Sequence, residues 1–184
     1  PRLSAQYVEY PSPTGSGTMR GYLVRPAKAT GKLPGVLVVH ENRGLNPHIE
    51  DIARRVALEG FMAFAPDALF PLGGYPGDED KAREMFPKLD QAKTREDFVE
   101  AAKWLKGRAD STGKVAVVGF CYGGSIANML ATRLPNSDGD YLDEGEKHVL
   151  LEGQPSKNIL DIVRRDEVFG MAGMDRGGDM VMVS

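Results

Sequence analysis

The chain has 184 residues, a formal net charge of −3 and 41% hydrophobic residues, a length that fits one well-buried domain rather than two large ones. It contains no apolar segment long enough to span a bilayer and no Lys/Arg tract suited to a phosphate backbone, which argues against membrane and nucleic-acid roles. One cysteine cannot form an internal disulfide, and no signal peptide heads the sequence as given, so a cytoplasmic location is expected.

The first elements are two extended segments at residues 6–10 and 19–25. The Pro-, Ser- and Gly-rich stretch between them is rich in turn-forming residues, and together they predict a β-hairpin. A continuous apolar run at residues 34–39 then predicts a strand that is buried on both faces.

Apolar residues next recur at helical spacing and predict a helix that ends near Gly60: Ile49, Ile52, Ala53, Val56 and Ala57. A second buried strand is expected over residues 61–65. After a Gly- and Pro-rich loop, Thr94 and Asp97 form a capping-box pattern that predicts the start of another helix. A third buried strand is predicted over residues 114–118.

This alternation of strands and helices predicts an α/β fold with a mostly parallel sheet, an antiparallel hairpin at its N-terminal side and flanking helices. In open sheets of this kind, ligands gather at the carboxyl ends of the strands. Glu41, Asp67 and Cys121 follow the three predicted parallel strands. We therefore expect these three residues to converge at one edge of the sheet.

Residues 119–124, Gly-Phe-Cys-Tyr-Gly-Gly, follow the third buried strand and contain the only cysteine. A nucleophile on a tight strand-to-helix turn adopts a strained backbone conformation and needs small neighbours, which Gly119 and Gly123 supply. The alternative is that Cys121 is a small buried hydrophobe, or that the turn is a packing point or a phosphate cradle. Neither the Walker pattern nor the dinucleotide-binding glycine pattern is present.

The character of the sequence changes after Pro135. Residues 136–184 contain 5 Lys/Arg against 11 Asp/Glu, and four of the eight methionines fall between Met171 and Met182. A short helix is predicted over residues 157–167, with weak apolar runs at 149–151 and 180–183. We interpret residues 1–135 as the core and residues 136–184 as a divergent acidic tail packed on or beside it within the same domain.

Four segments resemble the dienelactone hydrolase family of α/β-hydrolases, and the resemblance covers residues 7–135. They are the His-Glu-Asn-Arg-Gly-Leu segment at 40–45, Ala-Pro-Asp at 65–67, Gly-Gly-Tyr-Pro-Gly at 73–77 and the cysteine turn at 119–124. The resemblance implies an α/β-hydrolase fold, complete or truncated, that opens a small-molecule ester or lactone without a cofactor.

The resemblance also implies roles for individual residues. Cys121 corresponds to the nucleophile, and a helix N-terminus favours its reactive thiolate form. Glu41 is similar to a glutamate that contacts the resting cysteine, with a solvated or Arg43-paired carboxylate as the alternative. The backbone N–H of Tyr122 and a second donor at Asn42 correspond to the oxyanion hole.

Two further residues have competing interpretations. Arg83 resembles an arginine that holds an anionic substrate group, but its position on a charged helix slightly favours the interpretation as part of a solvated helix face. The family order places the acid and the histidine after the nucleophile, and His148 is the one histidine that does so; its alternative is a surface histidine. His40 is expected to be a structural neighbour of the loop rather than a base.

Metal binding is not predicted. His40, Glu41, His48 and Asp67 are suitable ligand types, but their spacing matches no zinc signature.

A competing hypothesis is a truncated or diverged relative that binds a ligand or a partner without turnover. A sheet that lacks later strands leaves an apolar edge, which would favour a homo-oligomer or another partner. A third alternative is that residues 136–184 are foreign to the fold.

Overall fold

The computed structural model describes residues 1–133, 171–174 and 180–183. The strands are β1 Leu3–Ser12, β2 Gly17–Pro26, β3 Leu33–Val39, β4 Met62–Pro66, β5 Ser111–Gly119, β6 Met171–Met174 and β7 Met180–Val183. The helices are α1 Pro47–Leu58, α2 Glu79–Met85, α3 Gln91–Lys106 and α4 Tyr122–Arg133. The helix predicted over residues 157–167, the apolar run at 149–151 and His148 lie outside the described residues.

The strands form one mixed sheet in the order β1-β2-β4-β3-β5-β7-β6. Strand β3 lies at the centre and pairs in parallel with both β4 and β5. The hairpin β1–β2 joins the β4 side in antiparallel orientation, and β7 joins β5 in the same way. The predicted hairpin and the three predicted parallel strands are therefore confirmed, and the carboxyl ends of β3, β4 and β5 lie at one edge.

Both faces of the central strands are apolar, which explains their uninterrupted hydrophobic sequences. On β3, Leu37 and Val39 pack in one core cluster while Val36 and Val38 pack in another. The first cluster includes buried residues of α3 and α4, and the second includes those of α1. The sheet is thus covered by helices on both faces, and the strand ends are left for a site.

Helix α3 begins earlier than the sequence predicts. Its N-cap is Asp90, whose Oδ1 accepts from the backbone N–H groups of Ala92 (3.1 Å) and Lys93 (3.2 Å). The capping box at Thr94 and Asp97 was therefore wrong as a helix start. Asp90 satisfies the N-terminal donors first, which leaves the Asp97 carboxylate to bind elsewhere.

Asp97 ties α3 to the turn of the β1–β2 hairpin. Its buried carboxylate accepts from the Ser12 hydroxyl (2.6 Å), the Ser16 N–H (2.7 Å) and the Ser16 hydroxyl (2.7 Å). The Tyr10 hydroxyl donates to the Asp97 carbonyl oxygen at 2.9 Å. A buried charge with several hydrogen bonds holds the hairpin against the helix.

We expect Asp97→Ala to lower the free energy of unfolding by about 3 kcal/mol, because it leaves the buried hydroxyl of Ser12 and the half-buried donors of Ser16 without an acceptor. Urea denaturation measures the loss. The matched control on the same helix is Glu96→Ala, which removes an exposed ion pair with Arg133 and should cost less than about 1 kcal/mol. Equal losses in the two variants would contradict the role assigned to Asp97.

Trp104, the only tryptophan of the chain, lies where α3 meets the sheet. Its ring centroid is 4.7 Å from that of Phe64 on β4 and 6.0 Å from that of Tyr10 on β1. The guanidinium of Arg108 lies 4.8 Å from the Trp104 ring centroid. The indole therefore contacts both the hairpin and the central sheet.

Candidate active site

Cys121 is the second of the two residues, Phe120 and Cys121, that separate the end of β5 at Gly119 from the start of α4 at Tyr122. Its φ is 51°, and it is the one residue other than glycine with a positive φ in the part of the chain that the structure describes. The side chain is exposed. A left-handed conformation is costly for a residue with a Cβ, so the predicted strain at this turn is confirmed.

The two glycines around the turn have no room for a side chain. A Cβ on Gly119 would fall well inside 3.0 Å of the Gly123 carbonyl oxygen, and a Cβ on Gly123 would fall equally close to the Val39 carbonyl oxygen. The expectation of small residues at both positions is confirmed. The start of α4 consequently lies directly against the end of β3.

Tyr122 is the first residue of α4, and its N–H has no acceptor within the helix. The positive end of the helix dipole therefore lies beside Cys121. The Tyr122 ring packs against Phe86 with centroids 5.0 Å apart, and burial raises the pKa of its phenol to about 12. The oxyanion role of the Tyr122 N–H stays a prediction.

His40 follows β3 and is fully buried. Its Nδ1 lies 2.7 Å from the Glu41 carbonyl oxygen, and its Nε2 accepts from the Ala68 N–H at 3.1 Å. Burial lowers the pKa of His40, against smaller opposing effects of Glu41 and Asp67. Both ring nitrogens are occupied by the backbone, which agrees with the interpretation of His40 as a structural residue.

Asp67 follows β4 and is also buried. Its Oδ1 accepts from the Leu69 N–H (3.1 Å) and its Oδ2 from the Tyr75 N–H (3.3 Å), with Arg20 Nη2 at 3.9 Å from Oδ2. Burial raises the pKa of Asp67, while the neighbouring His40 and the two N–H groups oppose that rise. The carboxylate fixes the loop that follows β4.

Glu41 and Asn42 lie in the loop between β3 and α1. Glu41 is half-buried, and its carbonyl oxygen accepts from the Gly44 N–H at 3.2 Å as well as contacting His40. Asn42 is exposed. The structure places this loop at the same sheet edge as Cys121; the roles of Glu41 and Asn42 in catalysis stay predictions.

The same loop is tied to α2 by Glu79. Arg43 donates to Glu79 Oε2 at 2.9 Å, and the Asn46 amide donates to Glu79 Oε1 at 2.8 Å. Arg43 therefore forms its ion pair with Glu79 rather than with Glu41. Sequence reasoning missed this link, since nothing in the residue types around Glu79 distinguishes it from other acids of that segment.

Arg83 is exposed on α2 and forms an ion pair with Asp80 one turn earlier. Its contact with a substrate stays a prediction. His48 is exposed near the start of α1. No group of three or more His, Cys, Asp or Glu side chains that could hold a metal ion occurs among residues 1–133, 171–174 and 180–183.

A strained, exposed cysteine between a buried strand and a helix, in a mixed sheet with helices on both faces, defines an α/β-hydrolase fold. The dienelactone hydrolase family profile matches residues 19–141. The chain belongs to the dienelactone hydrolase family. The family predicted from the four sequence segments is confirmed.

Individual relatives agree. The chain is 61% identical over 90 residues to "Putative hydrolase fragment YghX" of Escherichia coli, covering 49% of this chain and 77% of that protein. It is 32% identical to "Putative carboxymethylenebutenolidase" of Yersinia pestis, covering 67% of this chain and 47% of that protein. The crystal structure of "Putative Dienelactone Hydrolase" from Klebsiella pneumoniae aligns with a TM-score of 0.56 and 32% identity, covering 71% of this chain and 55% of that one.

The chain therefore spans about half the length of the full-length relatives that it matches. Within the described residues, no helix combines the length and the apolar character needed to cross a membrane. The family to which the chain belongs is one of hydrolases.

Proposed function

We propose that Cys121 is the nucleophile of a dienelactone hydrolase-type reaction that cleaves a small-molecule carboxylic ester or lactone. The observation that carries the proposal is the conformation of Cys121, which is exposed and has a φ of 51° at the head of α4. A strained turn of this kind presents a side chain above the sheet edge, where a substrate can approach.

In the proposed reaction the Cys121 sulfur attacks the carbonyl carbon of the ester. The carbon–oxygen bond to the leaving alkoxide then breaks, the alkoxide takes up the proton lost by the thiol and leaves as the alcohol, and a thioester remains. Water hydrolyses the thioester to the carboxylic acid and restores the thiol. The N–H groups of Tyr122 and Asn42 would stabilise the oxyanion, each by about 3 kcal/mol. Glu41 would contact the resting cysteine.

The remaining roles are assigned on the family pattern. His148 is the proposed base, and Arg83 the proposed partner of an anionic group on the substrate. No cofactor takes part in this proposal. The single cysteine favours a reducing compartment, and we propose the cytoplasm.

A second candidate is a relative that binds the ester or a partner without turnover. It is favoured by the match to a protein that is itself described as a hydrolase fragment. The two candidates differ in turnover, because only the first releases the acyl group and accepts another ester.

The test uses p-nitrophenyl acetate and dihydrocoumarin, with intact mass spectrometry to detect acylation. We expect acylation of Cys121 at least about 100-fold faster than that of N-acetylcysteine, because free thiols lack the oxyanion donors, and continued product release thereafter. One acyl group per chain without further release would favour the second candidate. Acylation no faster than that of N-acetylcysteine would contradict a nucleophilic role.

A further inference from the structure

The ends of all three parallel strands meet around His40. Its ring links the Glu41 carbonyl oxygen (2.7 Å), after β3, to the Ala68 N–H (3.1 Å), after β4. The Phe120 N–H donates to the carbonyl oxygen of the preceding residue, Val39, at 3.2 Å, which brings in the end of β5. His40 therefore lies between the loop that carries Asn42 and the turn that carries the nucleophile.

The hydrogen bonds of His40 require one tautomer of the neutral ring. Because Nε2 accepts from the Ala68 N–H, it has no proton, and the ring proton is on Nδ1, which donates to Glu41. A second proton, on Nε2, would point at the Ala68 N–H. Two donors would then face each other in a buried site, so the bond between the two strand ends would be lost.

The surroundings of His40 do not favour the charged ring. The titratable groups that act on it are the carboxylates of Asp67, after β4, and of Glu41, on its own loop. Two aromatic rings pack against it, with the Phe86 centroid at 5.8 Å and the Phe98 centroid at 6.2 Å. The Asp67 carboxylate is already bonded to backbone N–H groups, and burial, which lowers the pKa of His40, is the largest influence.

We propose that His40 is a positioning residue whose neutral ring ties the Glu41–Asn42 loop, beside Cys121, to the segment that follows β4, and that a second proton on the ring breaks the tie to that segment. This inference rests on the proposed function, since it assigns the loop an oxyanion donor. It predicts that the rate of Cys121 acylation falls in acid by a larger factor than the fraction of thiolate does.

The experiment compares two reactions of Cys121 at each pH. Alkylation by iodoacetamide reports the thiolate, whereas acylation by p-nitrophenyl acetate also needs the oxyanion donors. Because both reactions need the thiolate, the ratio of the acylation rate to the alkylation rate reports the contribution of the oxyanion donors alone. NMR of the imidazole nitrogens follows the protonation of His40 itself, and the series is taken down to the pH at which His40 titrates or the protein unfolds.

Three variants are measured beside the unaltered protein. His40→Gln carries one donor and one acceptor but cannot titrate. Its ratio of acylation to alkylation rates should therefore not vary with pH and should lie within about tenfold of the ratio of the unaltered protein. His40→Leu keeps the bulk without the bonds, and its ratio should fall about a hundredfold at every pH. His48→Gln, which replaces the exposed histidine of α1, should behave like the unaltered protein.

The proposal is overturned if the His40→Leu ratio equals that of the unaltered protein, or if His40 titrates with no change in the ratio. Should His40→Leu fail to fold, as thermal denaturation would show, the pH profile of His40→Gln decides. A failure of the proposed function can be told apart from a failure of this inference. If the proposed function is wrong, the unaltered protein itself is acylated no faster than N-acetylcysteine. In that case the amide signals of Glu41 and Asn42, followed against pH in the unaltered protein and in His40→Gln, decide whether His40 holds the loop.

Discussion

Cys121→Ala is expected to reduce ester cleavage by about 10⁴-fold or more, because loss of the nucleophilic serine of a serine protease costs about 10⁶-fold. Alanine and cysteine both have a Cβ, so the strain at φ 51° is the same in each and the fold should be retained. The rate of p-nitrophenol release measures the loss, and circular dichroism checks the fold.

Cys121→Ser is the matched control, since it keeps the shape of the side chain and changes only the attacking atom. An oxygen nucleophile needs an adjacent base far more than a thiolate does, so this variant should also lose most of its activity. Cleavage by Cys121→Ala at the original rate would place the reaction at another residue and refute the proposed nucleophile.

Gly123→Ala is expected to lower the free energy of unfolding by more than about 3 kcal/mol, at the high end of what overpacking costs. The added methyl group would meet the backbone oxygen of Val39, and backbone atoms cannot rotate away as a flexible side chain can. The turn would have to separate from β3, which would also displace Cys121. Urea denaturation gives the stability, and the iodoacetamide rate reports the cysteine.

Gly31→Ala serves as the control for this substitution. A Cβ at Gly31 has nothing within 4 Å, so the change should stay within about 0.5 kcal/mol. If Gly123→Ala is as well tolerated as Gly31→Ala, then the close approach between α4 and the end of β3 is not a requirement of the fold.

Much of the fold could be predicted because its signals are local. Residues 34–39 and 61–65 are apolar without interruption, and such runs suit strands with helices on both faces. The cysteine turn could be predicted for the same reason, since a single strand–turn–helix segment is what requires small residues at 119 and 123. In both cases neighbouring residues determine the conformation.

The start of α3 was predicted wrongly because two residues compete for the N-cap. Asp90 and Thr94 can both cap the helical sequence that follows them, and cap chemistry alone does not distinguish them. The deciding contact is between Asp97 and Ser12, 85 residues apart in the chain. A pattern read within a short window contains no information about such a partner.

The site around Cys121 was predicted less completely for a related reason. His40 and Asp67 stood out as residue types, but their partners are backbone N–H and carbonyl groups of Glu41, Ala68, Leu69 and Tyr75. Backbone groups are present at nearly every position, so residue identity does not reveal which ones a side chain will meet.

The location of Trp104 makes part of the molecule directly observable. A lone indole that contacts Tyr10 of the hairpin and Phe64 of the central sheet gives an emission signal from one known place. Detachment of the hairpin in Asp97→Ala should shift that emission at lower urea concentration than the loss of helical circular dichroism. The protein therefore carries an intrinsic optical probe that can distinguish local opening from global unfolding without any attached label.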